Sequence, residues 1–275
     1  MLEYILCSVQ GRRQSPIDIS PSSLVYDSRL SPVSVSKSEL SGVLTNTGQS
    51  LVLRVTGDTP VNITGGPLLY KYQVQEVFFH WGEKGFPGSE HTVNHHSFPA
   101  EIQIYGFNSD LYQNLSMARE NPGGVVGVAI MVQVKGESAR MEHEHMHSGL
   151  GHIISKLSSI KYGGDTTRIN QINLASIMPN TGDYITYEGS TTFPGCWETT
   201  TWVVMNKPVY ISKQELEMFY QLRQGDKVME KAPLGNNLRP RQPLNNRAVR
   251  TNIAVQAQKV RYITSYNIIF IETIQ

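Results

Sequence analysis

The chain has little cysteine, no long apolar run and no excess of charge of either sign, and each shortage removes a class of protein. Two cysteines in 275 residues cannot make a disulfide-dense scaffold. Cys7 and Cys196 form either one disulfide or two separate thiols, and their spacing does not choose between these. If bonded, they close a very long loop, worth about 5 kcal/mol by chain entropy, and imply an oxidising compartment. Lys+Arg total 24 against Asp+Glu 23, a net charge of +1 with no basic stripe, so nothing points to nucleic acid or an anionic membrane surface as partner. The longest apolar runs, 124–134 and 267–271, fall short of the ~20 residues a membrane helix needs. No linker, low-complexity tract or internal repeat divides the chain, which predicts one large domain.

What is present reads mostly as strand. Segments 50–56, 74–80, 101–107, 125–134 and 200–205 are β-branched, aromatic or alternating runs bounded by Gly, Pro and Asn. The best helix is 213–223, opened by Ser212 with Glu215 three positions on, a capping-box pattern. A second, shorter helix is predicted over 172–177, stopped by Pro179. The expected fold is mainly β (α+β), a large central twisted sheet, mostly antiparallel, with short helices packed outside it.

Two sequons, Asn62-Ile63-Thr64 and Asn114-Leu115-Ser116, mark glycosylation acceptors. Residues 1–6 lack the basic start and apolar stretch of a signal peptide. The tract Met141-Glu142-His143-Glu144-His145-Met146-His147 reads as an exposed loop, with transition-metal binding as its alternative. His91 reads as a buried structural histidine, and His95 and His96 as solvent-facing turn residues.

Strand alternation places Glu76, Phe78 and His80 on one face, and Glu101, Gln103 and Tyr105 together on another strand. With Gln14-Ser15-Pro16-Ile17-Asp18-Ile19, Gly65-Gly66-Pro67-Leu68, the Gly88-Ser89-Glu90-His91 block and Arg239-Pro240-Arg241-Gln242-Pro243-Leu244-Asn245-Asn246-Arg247, the chain resembles the α-class carbonic anhydrases. The likeness covers residues 1–253 as a single domain. Family members begin earlier, with a signal peptide and a Trp- and Tyr-rich segment, so an incomplete or alternative N-terminus is expected. Residues 254–275 form a divergent tail.

In that family zinc sits on three histidines, and the positions matching them are Phe78, His80 and Gln103. Phenylalanine offers no lone pair and a neutral amide oxygen substitutes poorly for imidazole. Losing even an outer-shell partner costs about 10–100-fold in metal affinity or activity, so the resemblance implies no metal, no cofactor and no catalysis. Without zinc, the pKa of a bound water returns from ~7 toward ~15.7, removing roughly eight orders of magnitude of hydroxide at neutral pH. His80, deprived of co-ligands, is expected to be a satisfied core histidine. Glu90 and Thr192 match the groups that orient the zinc-bound hydroxide, and Glu101 an outer-shell partner. Gln49 stands where many members carry a proton-shuttle histidine. Tyr105 and Phe193 replace small residues of the substrate pocket, completing a vestigial cleft.

Among silent members the chain is similar to the carbonic anhydrase-related proteins of the type ten and eleven branch, through Gln103, the paired sequons and Thr200-Thr201-Trp202-Val203-Val204-Met205 with its continuation to Ile211. That likeness implies a secreted neuronal glycoprotein that binds a neurexin-type adhesion receptor, and a disulfide between Cys7 and Cys196. The expectation is an extracellular binding module rather than an enzyme. The alternative is residual zinc-dependent carbonate dehydratase or esterase activity on an atypical metal site.

Overall fold

The computed structural model describes residues 11–135 and 148–254. The strands are β1 (Asp18–Ile19), β2 (Val25–Tyr26), β3 (Val33–Val35), β4 (Glu39–Asn46), β5 (Leu51–Val55), β6 (Asn62–Gly65), β7 (Tyr72–Trp81), β8 (Thr92–Val93), β9 (Ala100–Asn108), β10 (Val125–Val134), β11 (Thr166–Asn173), β12 (Tyr184–Gly189), β13 (Thr200–Met205), β14 (Val209–Ile211) and β15 (Arg250–Thr251). Three short helices join them: α1 (Leu115–Arg119), α2 (Ser148–Ser155) and α3 (Lys213–Tyr220). Thirteen strands form one sheet with the path β11-β4-β5-β7-β9-β10-β13-β12-β15-β2, and β1 pairs with β8 apart from it. Most pairings are antiparallel; β10 runs parallel to β13 and β14, and β15 to β2.

The predicted strands 125–134 and 200–205 form with those bounds, and the other three form within two residues of theirs. Ser212 and Glu215 close a reciprocal capping box on α3, which ends at Tyr220 rather than at 223. The predicted helix over 172–177 does not form. Ile172 and Asn173 pair with Leu40 and Glu39 at the end of β11, and only Leu174–Ser176 makes a 3-10 turn, capped by the Asn173 side chain. Sheet pairing and an Asn cap outcompete a six-residue apolar pattern too short to nucleate a helix by itself.

The sheet separates two apolar layers. Val77, Phe79, Ile102, Ile104, Val128 and Ile130 face the larger one, beneath α2 and α3. Phe78, Tyr105, Phe107, Ala129 and Trp202 face the smaller one. A bulge between Val74 and Glu76 breaks the alternation of β7. It sends Val74 to the larger layer while Glu76, Phe78 and His80 line the opposite face. Gly127 lies beside Tyr105 in the β9–β10 ladder, and a Cβ there would stand 2.9 Å from the Trp202 ring. The absent side chain makes room for that indole under the site.

Candidate functional site

The β7–β9 register sets Phe78 opposite Gln103, His80 opposite Glu101 and Glu76 opposite Tyr105. The two sets of three side chains, each expected on one face of its own strand, thus meet at the centre of the sheet. Phe78 stacks on Phe193 with centroids 5.1 Å apart and meets Tyr105 edge-on at 5.7 Å. Tyr105 also meets Phe193 edge-on at 5.1 Å and is fully buried. Phe78, Tyr105 and Phe193 therefore form one aromatic plug.

Gln103 lies beneath it, fully buried, with every polar direction used. Its Nε2 donates to Glu90 Oε2 at 2.7 Å and Glu101 Oε1 at 2.9 Å. Its Oε1 accepts from the Tyr105 hydroxyl at 2.8 Å and the Thr192 hydroxyl at 3.0 Å. The neighbours fix the amide's orientation, because carboxylates only accept and each hydroxyl has a proton to give. Glu90 and Thr192, expected to act on a common hydroxide, are instead bridged by this amide. Burial and the Glu90 carboxylate push the Tyr105 hydroxyl well above a phenol's usual pKa, partly offset by Thr192, so it stays protonated and donating.

Glu101 anchors the next layer. Its carboxylate accepts from the His91 backbone N–H and contacts His91 Nδ1, both at 2.8 Å, while His91 Nε2 lies 2.7 Å from the Tyr187 hydroxyl. Burial alone would raise the Glu101 pKa. His91 and His80 and the Gln103 amide outweigh it and hold the carboxyl below its ordinary range. His91 is the buried, bonded residue its sequence setting predicts.

His80 departs from expectation. Its Nδ1 meets the Asn237 carbonyl at 2.8 Å, but its Nε2 is buried with no hydrogen-bond partner among the described residues. It is a core histidine satisfied at one nitrogen only, a contact that depends on a segment 157 residues away. Zinc of the kind the resemblance implies needs three donors converging on an open fourth position. Phe78 supplies none, and both lone-pair directions of the Gln103 oxygen are already taken, which leaves the single His80 Nε2. The residues do not fit zinc, and no group of three or more His, Cys, Asp and Glu among the described residues is arranged around a metal-sized point.

Several participants were not singled out in the sequence. Arg119, at the end of α1, pairs with Glu76, which also binds Arg54 at 3.2 Å. The Arg119 guanidinium lies 4.7 Å from the centroid of Phe193 and 5.9 Å from that of Trp197, covering the plug by cation–π contact. Arg239 donates its backbone N–H to Glu90 at 2.7 Å, and its guanidinium reaches the Ser15 carbonyl and the Gln14 side chain. The family block around Arg239 carried a faint signal of this; nothing local marks Arg119.

Gln49 is exposed in the β4–β5 turn, and its described hydrogen bond is from its backbone N–H to Thr47. His95 and His96 are exposed, with His95 Nδ1 2.9 Å from Asp18. Asn114 is exposed and caps α1 through its side chain, whereas Asn62 is half-buried with its Oδ1 enclosed. Cys196 is disulfide-bonded; Cys7, the tract 141–147 and residues 255–275 lie outside the described residues.

The fold and the centre of the sheet define a single mainly β domain whose polar cleft floor is closed by aromatic side chains. The chain belongs to the eukaryotic-type carbonic anhydrase family, which matches residues 2–253. It is 38% identical over 265 residues to a putative carbonic anhydrase-like protein 2 of Caenorhabditis elegans, covering 94% of this chain and 76% of that one. It is also 38% identical over 212 residues to a putative carbonic anhydrase-like protein 1 of the same organism, covering 76% of this chain and 56% of the relative. No helix among the described residues is long and apolar enough to cross a membrane.

Proposed function

We propose that this chain is a catalytically silent carbonic anhydrase-related protein that acts by surface recognition, as an extracellular binding module for a neuronal cell-surface partner of the neurexin type. One observation carries the loss of catalysis. The Gln103 amide has spent all four of its hydrogen bonds on Glu90, Glu101, Tyr105 and Thr192, and the remaining imidazole faces the Phe78 ring. Zinc would have to break that network and would gain one strong donor in return.

The extracellular part of the reading is supported by the disulfide at Cys196 and the sequon at exposed Asn114. Assignment to the type ten and eleven branch, and with it the partner class, is supported by the residues of the resemblance. The His80 Nε2, without a hydrogen-bond partner among the described residues, is the observation that favours the rival, a weak atypical metal site with residual hydration or esterase activity.

The discriminating experiment is to purify the protein with excess zinc, dialyse it, count metal per chain and measure carbon dioxide hydration. The expected result is well under one zinc per chain, no hydration above background and a melting temperature unchanged by chelator. One tightly held zinc with inhibitor-sensitive turnover would overturn the proposal. Partner class is tested separately, by binding to a purified neurexin ectodomain.

A further inference from the structure

Residues 191–197 form a small loop over the cleft. The Thr191 N–H donates to the Trp197 carbonyl at 3.1 Å and closes the neck, while the Cys196 N–H donates to the Phe193 carbonyl at 3.1 Å across Pro194 and Gly195. Gly195 takes φ +105°, as the position after proline in a type II turn requires. A Cβ there would stand 2.2 Å from the Trp197 indole, so the ring folds back onto the glycine. Both backbone bonds stay inside the loop, which gives it the form of a compact Ω-loop. Side chains tie it to the rest of the fold.

The tie at the tip is Gln14, a buried residue. Its Nε2 donates to the Cys196 carbonyl at 3.2 Å and to Glu198 Oε1 at 2.8 Å, and its Oε1 accepts from the Arg239 guanidinium at 2.8 Å. The neighbours fix this amide's orientation, because a guanidinium only donates while a carbonyl and a carboxylate only accept. The Arg13 N–H binds the same Glu198 oxygen at 2.6 Å. Arg239 in turn donates its backbone N–H to Glu90, Glu90 accepts from Gln103, and Gln103 accepts from Thr192. One polar chain thus grips the loop at both ends, at Thr192 and at Cys196. Arg119 brackets it from the side, over the rings of Phe193 and Trp197.

The closed position depends on these ties. Cys196 sits at φ +45°, a left-handed conformation that costs an L side chain free energy. A segment without ladder partners opens locally more easily than a central strand does. Cys196 is also disulfide-bonded, which tethers the tip and limits its excursion. Beneath the Phe193 ring lie those of Phe78 and Tyr105, so lifting the loop exposes an apolar aromatic surface.

We propose that residues 192–197 are a lid, latched shut by the Gln14 amide and the Arg119 guanidinium, and that releasing the latch uncovers the aromatic floor of the cleft. The lid is a property of the cleft and does not rest on the partner reading.

The test is amide hydrogen exchange by NMR on the full chain. It compares the lid N–H groups of Thr191 and Cys196 with those of Ile104 and Val128, paired in the central ladder. In the wild type the two lid amides should show matching protection and exchange far faster than the ladder. Gln14→Glu keeps an acceptor for Arg239 but replaces the donor to Cys196 and Glu198 with an oxygen. It should speed both lid amides about tenfold or more, the loss of a hydrogen bond to a charged group, and leave the ladder unchanged. Arg119→Met should also speed both, through the lost ring contacts. Lys84→Ser, on the α3 side where Lys84 pairs with Glu217, should exchange as the wild type does. Lid amides as protected as the ladder, unequal protection of the two, no acceleration in a folded Gln14→Glu protein, or acceleration spread equally over the ladder would each overturn the lid. The wild-type comparison needs no variant and stays decisive if a substitution prevents folding. Metal content, hydration and partner binding are separate measurements, so failure here and failure of the proposed function are distinguishable.

Discussion

Gln103→Leu isolates the amide at the centre of the cleft. Leucine keeps the approximate volume and apolar stem but removes two donors and one doubly used acceptor. Glu90 suffers most: its side chain is 1% exposed, and of its two oxygens one keeps the Arg239 backbone N–H while the other loses the Gln103 bond. Glu101 retains both His91 contacts, so its loss is smaller. A hydrogen bond to a charged group contributes about 1.5–3 kcal/mol, and a neutral one about 1 kcal/mol. Two carboxylate bonds and two hydroxyl bonds, less what leucine regains by burial, give a loss of about 4 kcal/mol. That is a large part of a total stability of about 5–15 kcal/mol. With a urea slope of about 3 kcal/mol per molar, the midpoint should fall by about 1.3 M at unchanged slope. A loss below about 1 kcal/mol would refute the reasoning, because the amide would then be a bystander rather than the link among Glu90, Glu101, Tyr105 and Thr192.

Phe78→His with Gln103→His should restore one zinc per chain, counted after dialysis, while hydration stays slow because the buried Tyr105 ring still fills the pocket; family-typical turnover without a change at Tyr105 would refute the plug. Glu101 has a folded-state pKa below its unfolded value of about 4.3. It therefore contributes stability above that pH, lost as pH falls through the folded value. Glu101→Gln should lower stability at neutral pH and flatten its fall as pH drops below the unfolded value of about 4.3 in denaturant titrations; an unchanged acid limb would count against it. In a secreting host, glycopeptide mapping should find Asn114 occupied more fully than Asn62, whose Oδ1 is enclosed. The reverse order would show that the folded setting does not govern occupancy.

Alternation and β-branched runs are local signals, so β7, β9, β10 and β13 could be read directly from the sequence, as could the capping box of α3. That Phe78 and Gln103 are not imidazoles is equally a matter of residue type, but that they stand at ligand positions follows from the family resemblance and not from strand period. The 172–177 segment misled because its pairing with Leu40 and Glu39 lies more than a hundred residues away.

The rest was decided only in three dimensions. No sequence pattern announces that β7 bulges before Glu76, that Arg119 reaches Glu76 across 43 positions, or that the Asn237 carbonyl takes one nitrogen of His80 while the other has no hydrogen-bond partner among the described residues. Residue chemistry along the chain determined which donor atoms the central strands carry. Packing of distant segments determined what occupies the space instead, because a side chain's partners are set by the register and closure of the whole sheet, and those carry no local signature.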